Sequence, residues 1–225
     1  MNNPERKFTG NYVLLGMIFV SCLLVSNIIA GKIWSPGWNI TFPASVILFP
    51  ITYIISGILT GVYGFSNTKH IIWCGFTCNF VAVIAYVITV DLPHPNFWLD
   101  QEAYAVVLGM APRVLLASFI AYLFGEFSKT IVLSKMKVNA KGERLWLRMI
   151  GSSIVGEALD SLIFSTIAFA GTISAKQLLT MILFQYLFKL CFETVTTPAT
   201  CKIINKLKKI ENIDTFDYEE RYRIL

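Results

Sequence analysis

Six stretches of about twenty mostly apolar residues occupy the chain, at 12–33, 42–63, 71–90, 113–133, 149–169 and 178–197. An α-helix rises about 1.5 Å per residue and the hydrocarbon core of a bilayer is about 30 Å thick, so each stretch is long enough to cross it. Lipid offers no hydrogen bonds to the backbone, so a segment of this kind spans as a helix that satisfies its own peptide groups. The expected fold class is therefore an all-α integral membrane protein, a six-transmembrane-helix bundle. Six spans in 225 residues leave no room for a soluble domain. Residues 1–210 are read as one six-helix membrane domain and 211–225 as a polar tail. Composition agrees: 15% of residues are charged, against roughly a quarter in soluble domains. The apolar core of the first stretch is longer than a secretory h-region and Ala30-Gly31-Lys32 is a poor cleavage site, so it is kept as a helix.

The formal charge of +5 does not point to nucleic acid, because Lys and Arg fall in short runs between the apolar stretches. Those runs set orientation. Arg6, Lys7, Lys69, Lys135, Lys137, Lys141, Arg144, Arg148, Lys202, Lys206, Lys208, Lys209, Arg221 and Arg223 all belong to one side, whereas the opposite connections hold Lys32, Lys176 and an acidic loop at 91–102. Both termini are expected in the cytoplasm. The five Cys contain no CxxC pair, which argues against zinc or a disulfide framework, and no cofactor is implied. Trp34, Trp38, Trp73, Trp98 and Trp146 fall near span ends, as in an interfacial aromatic belt. In the second stretch, Pro43 and Pro50 suggest a kink or a broken helix.

The sharpest signal is charge inside the spans. An ionisable residue at the centre of a membrane helix costs about 2.5–3.5 kcal/mol on insertion scales, and such residues mark binding or transport paths. Here they are Arg113, Glu126, Glu157, Asp160, Lys189 and Glu193, with Lys129 nearer one end. Glu126 with Lys129, and Lys189 with Glu193, have the i,i+3 and i,i+4 spacing of internal ion pairs. Glu157 and Asp160 share one face of the fifth span and one sign, so a cation or a donor-rich ligand must face them. Arg113 and Lys189 are the candidates. A ligand-free buried salt-bridge cluster is the plainer alternative. Ser26, Asn27, Asn79, Ser118, Tyr122 and Tyr186 add polar groups that together would line a cavity.

Several runs carry a resemblance. They are Ser26-Asn27 with Ala30 and Lys32, Phe49-Pro50 through Gly64, the loop Leu92-Pro93-His94-Pro95 to Trp98, Arg113 with Ala117-Ser118, Ala121-Tyr122 and Gly125, and Gly156-Glu157 with Asp160-Ser161 and Phe164. In this order they resemble the queuosine precursor transporter family, formerly grouped with vitamin uptake transporters, over residues 12–205. The resemblance implies a bacterial inner-membrane importer of 7-deazaguanine bases, such as 7-cyano-7-deazaguanine, 7-aminomethyl-7-deazaguanine or queuine, feeding tRNA modification. A guanine-like edge presents adjacent N–H donors that a carboxylate accepts in bidentate fashion. Glu157 or Asp160 would take those donors, and Arg113, Lys189 or Asn27 would serve the carbonyl. Tyr53, Phe80, Phe97, Tyr122 and Tyr186 are candidate stacking surfaces. One departure stands out: family members carry an Asp and, four residues later, a Glu where this chain has Gly57 and Gly61. Either ligand or coupling differs, or the pair is a GxxxG packing site.

The expected partners are thus a small deazapurine base and the lipid bilayer, without nucleic acid; a homodimer is compatible with the sequence. Two other functions compete. A substrate-binding subunit of an energy-coupling transporter would need a partner ATPase, since no Walker motif is present. An intramembrane enzyme would use Glu157 and Asp160 as acid and base, but no HExxH motif accompanies them and His70 and His94 fall in loops.

Overall fold

The computed structural model describes residues 9–37, 40–109, 111–140 and 143–215. Thr9 caps the first helix, α1 (Gly10–Ile29), by accepting from the Tyr12 amide. A short antiparallel hairpin follows, β1 (Ile33–Gly37) and β2 (Ile40–Pro43), in which Trp34 lies opposite Phe42. A buried 3-10 turn (Ala44–Ile47) then leads into α2 (Phe49–Asp91). The exposed α3 (Gln101–Gly109) precedes α4 (Ala111–Asn139), α5 (Leu145–Phe169) and α6 (Ala175–Glu211). A capping box of Ser174 and Gln177 starts α6. Among the described residues, five helical stretches are long and apolar enough to cross a membrane.

Residues 49–63 of the second expected span and all of the third fall within α2, whose 43 residues would measure about 64 Å if straight, twice the hydrocarbon thickness. The helix is not straight. Gly64 has φ 84° and ψ 174°, a conformation closed to residues with a Cβ, and divides α2 into arms 49–63 and 65–91. Such a break leaves carbonyls at the end of the first arm, and that of Gly64 itself, in need of partners. Each has a partner here: Gly61 O accepts from Lys137 Nζ at 3.0 Å, Val62 O from the Thr215 amide at 3.3 Å, Tyr63 O from Asn67 Nδ2 at 2.9 Å and Gly64 O from the Thr68 hydroxyl at 2.9 Å.

The prolines do not break anything. Pro43 ends β2 and Pro50 stands in the first turn of α2, where no amide donor is needed. The region read as the start of a span is therefore hairpin and 3-10 turn, its Phe42 ring packed 5.8 Å from that of Phe188 on α6. Trp73 is half-buried and packs against Phe76 and Phe127. Trp38, Arg6, Lys7, Lys141, Arg221 and Arg223 lie outside the described residues.

The most extensive helix contact is between α4 and α5. A Cβ on Gly125 would come 3.0 Å from Gly156 O, and one on Gly156 would come 3.0 Å from Gly125 O and 2.7 Å from Lys129 Cβ. The two backbones therefore touch, and nothing larger than glycine fits at either place. Gly57 and Gly61 are likewise packing sites: their missing Cβ atoms face Met149 Cε at 2.7 Å and Ile204 Cδ1 at 3.1 Å. An aromatic cluster of Phe19, Phe49, Tyr53, Phe76 and Tyr122 fills the centre, with Phe76 and Tyr122 edge to face at 4.9 Å.

Candidate functional site

The inward faces of α4, α5 and α6 are polar. Along α5 the buried side chains include Ser152, Ser153, Glu157, Asp160, Ser161 and Ser165, and along α6 they include Gln185, Lys189 and Glu193. On α4, Tyr122, Glu126 and Lys129 repeat at helical spacing and are fully buried. The six charged side chains of this layer are at most 2% exposed. A buried charge is tolerable only when paired.

The pairing runs between helices, not along them. Lys129 Nζ donates to Glu193 Oε1 at 2.6 Å and to Tyr53 O at 3.1 Å. Lys189 donates to Asp160 and lies 3.8 Å from Glu157 Oε2. The expected internal pairs Glu126 with Lys129 and Lys189 with Glu193 are thus replaced by an α4–α6 and an α5–α6 pair. The reason is geometric: residues three or four apart share a face, and that face meets another helix. Both ammonium groups approach the Tyr53 ring, Lys129 Nζ at 4.5 Å and Lys189 Nζ at 5.9 Å from its centre, and Phe49 lies 5.1 Å from Lys189 Nζ.

Around these pairs, hydrogen-bonding capacity is left over. Both oxygens of Glu157 and Glu126, Asp160 Oδ1, Glu193 Oε2, the hydroxyls of Tyr53, Tyr122 and Ser161, and Asn27 Nδ2 are buried without a hydrogen-bond partner. A finished structural network does not leave this many. The Tyr53 hydroxyl falls 3.1 Å from where a Gly125 Cβ would stand, beside Asp160. Asn27 Oδ1 accepts from Ser118, which leaves its amide nitrogen as a donor.

Of the residues singled out from sequence, Tyr53, Tyr122, Glu157, Asp160 and Lys189 meet in this layer, with Asn27 on its α1 side accepting from Ser118 of α4. Arg113 does not join them. It is exposed and donates to Ile167 O at 2.9 Å and to Ala170 O, closing the carbonyl end of α5. Asn79 and Phe80 line an open apolar groove of about 320 Å3 between α2 and α4, together with Pro112 and Phe119. Tyr186 is half-buried on the flank of the inward face of α6, Phe97 is 83% exposed, and the ionic layer itself is packed closed where an open polar cavity was expected.

Sequence reasoning missed a second charged cluster. Lys137 and Arg148, read as loop cations, are each 2% exposed. Asn212, in the left-handed conformation, turns the chain out of α6 so that Asp214 reaches Lys137 at 2.7 Å and Lys208 at 2.9 Å, while Thr215 O accepts from Lys137. Burial alone would raise the Asp214 carboxyl; the hydrogen bonds from Lys137 and Lys208 outweigh it and hold the group below the ordinary Asp range. Glu211 accepts from the Thr9 hydroxyl at 2.8 Å, tying the end of α6 to the start of α1.

Long apolar helices enclosing a sealed, incompletely satisfied ionic layer define a polytopic membrane protein of the solute-handling class. Residues 43–203 match the family model described as "Putative vitamin uptake transporter", and the chain belongs to that family. All six charged residues of the layer lie within the matched region. The chain is 24% identical over 162 residues to a Bacillus subtilis (strain 168) protein named "Probable queuosine precursor transporter", covering 72% of this chain and 71% of that one. It is 26% identical over 165 residues to the "Queuosine precursor transporter" of Escherichia coli (strain K12), covering 72% of each. A Haemophilus influenzae protein named "Probable queuosine precursor transporter" is 25% identical over 173 residues, 74% of this chain and 71% of that one. No solved structure matches the chain.

Proposed function

We propose that the chain is an importer of queuosine precursors, a six-span protein of the bacterial inner membrane with both termini in the cytoplasm and residues 211–225 as its tail. The observation that carries this reading is the ionic layer with its unpartnered groups. A sixth crossing would come from reading the arms of α2 on either side of Gly64 separately, the first of them together with the 3-10 turn that precedes it.

The chemistry of a 7-deazaguanine edge suits the layer. Its ring N–H and exocyclic amine are adjacent donors, and the two oxygens of Glu157, neither of them hydrogen-bonded, are adjacent acceptors. Its carbonyl would take a proton donor from Lys189, Asn27 Nδ2 or a tyrosine hydroxyl. Tyr53, Tyr122 and Phe49 supply aromatic faces, and base stacking contributes about 1–3 kcal/mol per base. Asp160 holds Lys189 in place. In this reading the closed layer is the occluded form of an alternating-access cycle, with the site at the middle of the bundle.

The test is uptake of radiolabelled 7-cyano-7-deazaguanine into a precursor-starved bacterial strain. E157Q and D160N are expected to abolish uptake at unchanged membrane levels. Full uptake by both variants overturns the site. Uptake in a strain lacking any energy-coupling ATPase separates a self-sufficient importer from a binding subunit.

A further inference from the structure

Within the ionic layer the acids outnumber the bases. Among the described residues, the cations that pair with Glu157, Asp160 and Glu193 are Lys129 and Lys189, two for a layer of four buried acids that includes Glu126. Lys129 is committed to Glu193, and Lys189 to Asp160 with Glu157 at 3.8 Å. Glu126 is left over. Fully buried, it has no hydrogen-bond partner on either oxygen, in a region where an unpaired carboxylate is strongly disfavoured.

The polar groups around Glu126 come from four helices. From its own helix come Lys129, three residues on, and Tyr122, one turn back; α2 contributes Tyr53 and Ser56, whose single hydroxyl proton goes to Tyr53 O at 3.0 Å; α5 contributes Asp160 and α6 Glu193. The cation of this set, Lys129, is engaged with Glu193, and two of the neighbours, Asp160 and Glu193, are acids themselves. Independently of the charge balance, the Tyr53 and Tyr122 hydroxyls are fully buried and unpartnered, so two proton-bearing groups stand near Glu126 without an acceptor. Glu126 also differs from Glu157, which shares Lys189 and, in the reading above, meets the donors of the base.

We propose that Glu126 is the proton site of the importer: the side chain binds one proton from the outer water while the layer is open outward, carries it as the neutral acid through the occluded form, and releases it to the cytoplasm with the base. No covalent change is needed, since a carboxylate gains and then loses one proton. The inference rests on the importer reading for its role in coupling, but the presence of the proton on Glu126 can be measured without any substrate.

Two measurements test it on the full chain reconstituted in phosphatidylethanolamine–phosphatidylglycerol vesicles. In the first, substrate-free infrared spectra of the wild type minus E126Q at neutral pH are expected to show the C=O stretch of a neutral carboxylic acid; no such difference band overturns the proposal. In the second, labelled 7-cyano-7-deazaguanine is followed at equal pH by counterflow and under an inward proton gradient by accumulation. E126Q is expected to keep counterflow and lose accumulation, falling to equal concentrations on the two sides, and E126D to restore part of the gradient. Accumulation by E126Q equal to wild type, or accumulation driven by a sodium gradient instead, overturns it. If the wild type shows no counterflow, the importer reading has failed, and the infrared band alone decides whether Glu126 holds a proton.

Discussion

Replacing Lys129 by Met gives the most direct test of how the ionic layer is held. The Lys129 to Glu193 contact is 2.6 Å with both side chains at most 2% exposed. At a charge separation of about 4 Å and an effective dielectric constant of about 20, such a pair is worth about 4 kcal/mol of attraction. Removing one partner of a buried pair typically costs about 3–5 kcal/mol, because the other charge stays behind. For a chain of this size about 1 kcal/mol moves Tm by roughly 2–4 °C, so K129M is expected to melt about 6–20 °C below wild type. E193Q should fall in the same range. The double variant K129M/E193Q removes both charges and should lose only about 1–3 kcal/mol, the remainder reflecting the lost Lys129 bond to Tyr53 O and its position 4.5 Å over the Tyr53 ring. Thermal unfolding of the purified variants in one detergent closes the cycle. Additive losses, with the double variant as unstable as the sum of the singles, refute the α4–α6 pairing.

Other outcomes follow from the same packing. G125A and G156A should each lower stability by about 1–3 kcal/mol, because the added methyl meets backbone, whereas G57A should be nearly neutral, because Met149 Cε is the end of a flexible side chain; equal melting temperatures for all three contradict the close α4–α5 contact. R113Q should destabilise the α5 end by about 1–3 kcal/mol yet leave the apparent KM for the labelled base unchanged, and a raised KM would return Arg113 to the binding site. For Asp214 the folded carboxyl titrates below its unfolded value, so its contribution is present above about pH 4 and disappears as pH falls through the lower folded value. Hydrogen exchange of the amides at 213–215 should be slow at neutral pH and fast in D214N at every pH; equally slow exchange in D214N means that the ion pairs do not hold the segment.

Much of the layer was legible from sequence because charge in lipid is costly enough to be visible without any structure. Glu157, Asp160 and Lys189 stand out against runs of Leu, Ile and Phe, and their convergence follows. Their exact partners were not legible. The i,i+3 and i,i+4 spacing identifies a shared face, but which neighbour that face meets depends on the α4–α5 contact at Gly125 and Gly156, which no local pattern encodes. Arg113 was misplaced for a related reason: a span-end arginine reads equally well as a ligand or as a cap on the carbonyls of another helix. Lys137 and Arg148 looked like ordinary connecting-loop cations because long basic side chains near span ends usually reach water. The hairpin at Ile33–Pro43 was hidden by its hydrophobicity, and Gly64 by its resemblance to the packing glycines at 57 and 61.

The four carbonyls at the Gly64 break bring the order of synthesis into the fold. Two of them are served locally by Asn67 and Thr68, but the other two wait for Lys137 on α4 and for Thr215, beyond α6. A nascent polypeptide inserted helix by helix therefore carries a partly uncapped first arm until α6 and the residues just after it have been made. Nonsense variants that stop before Asn212 would leave that defect permanently, and a reporter fused directly behind Thr215 would load the last clasp to close.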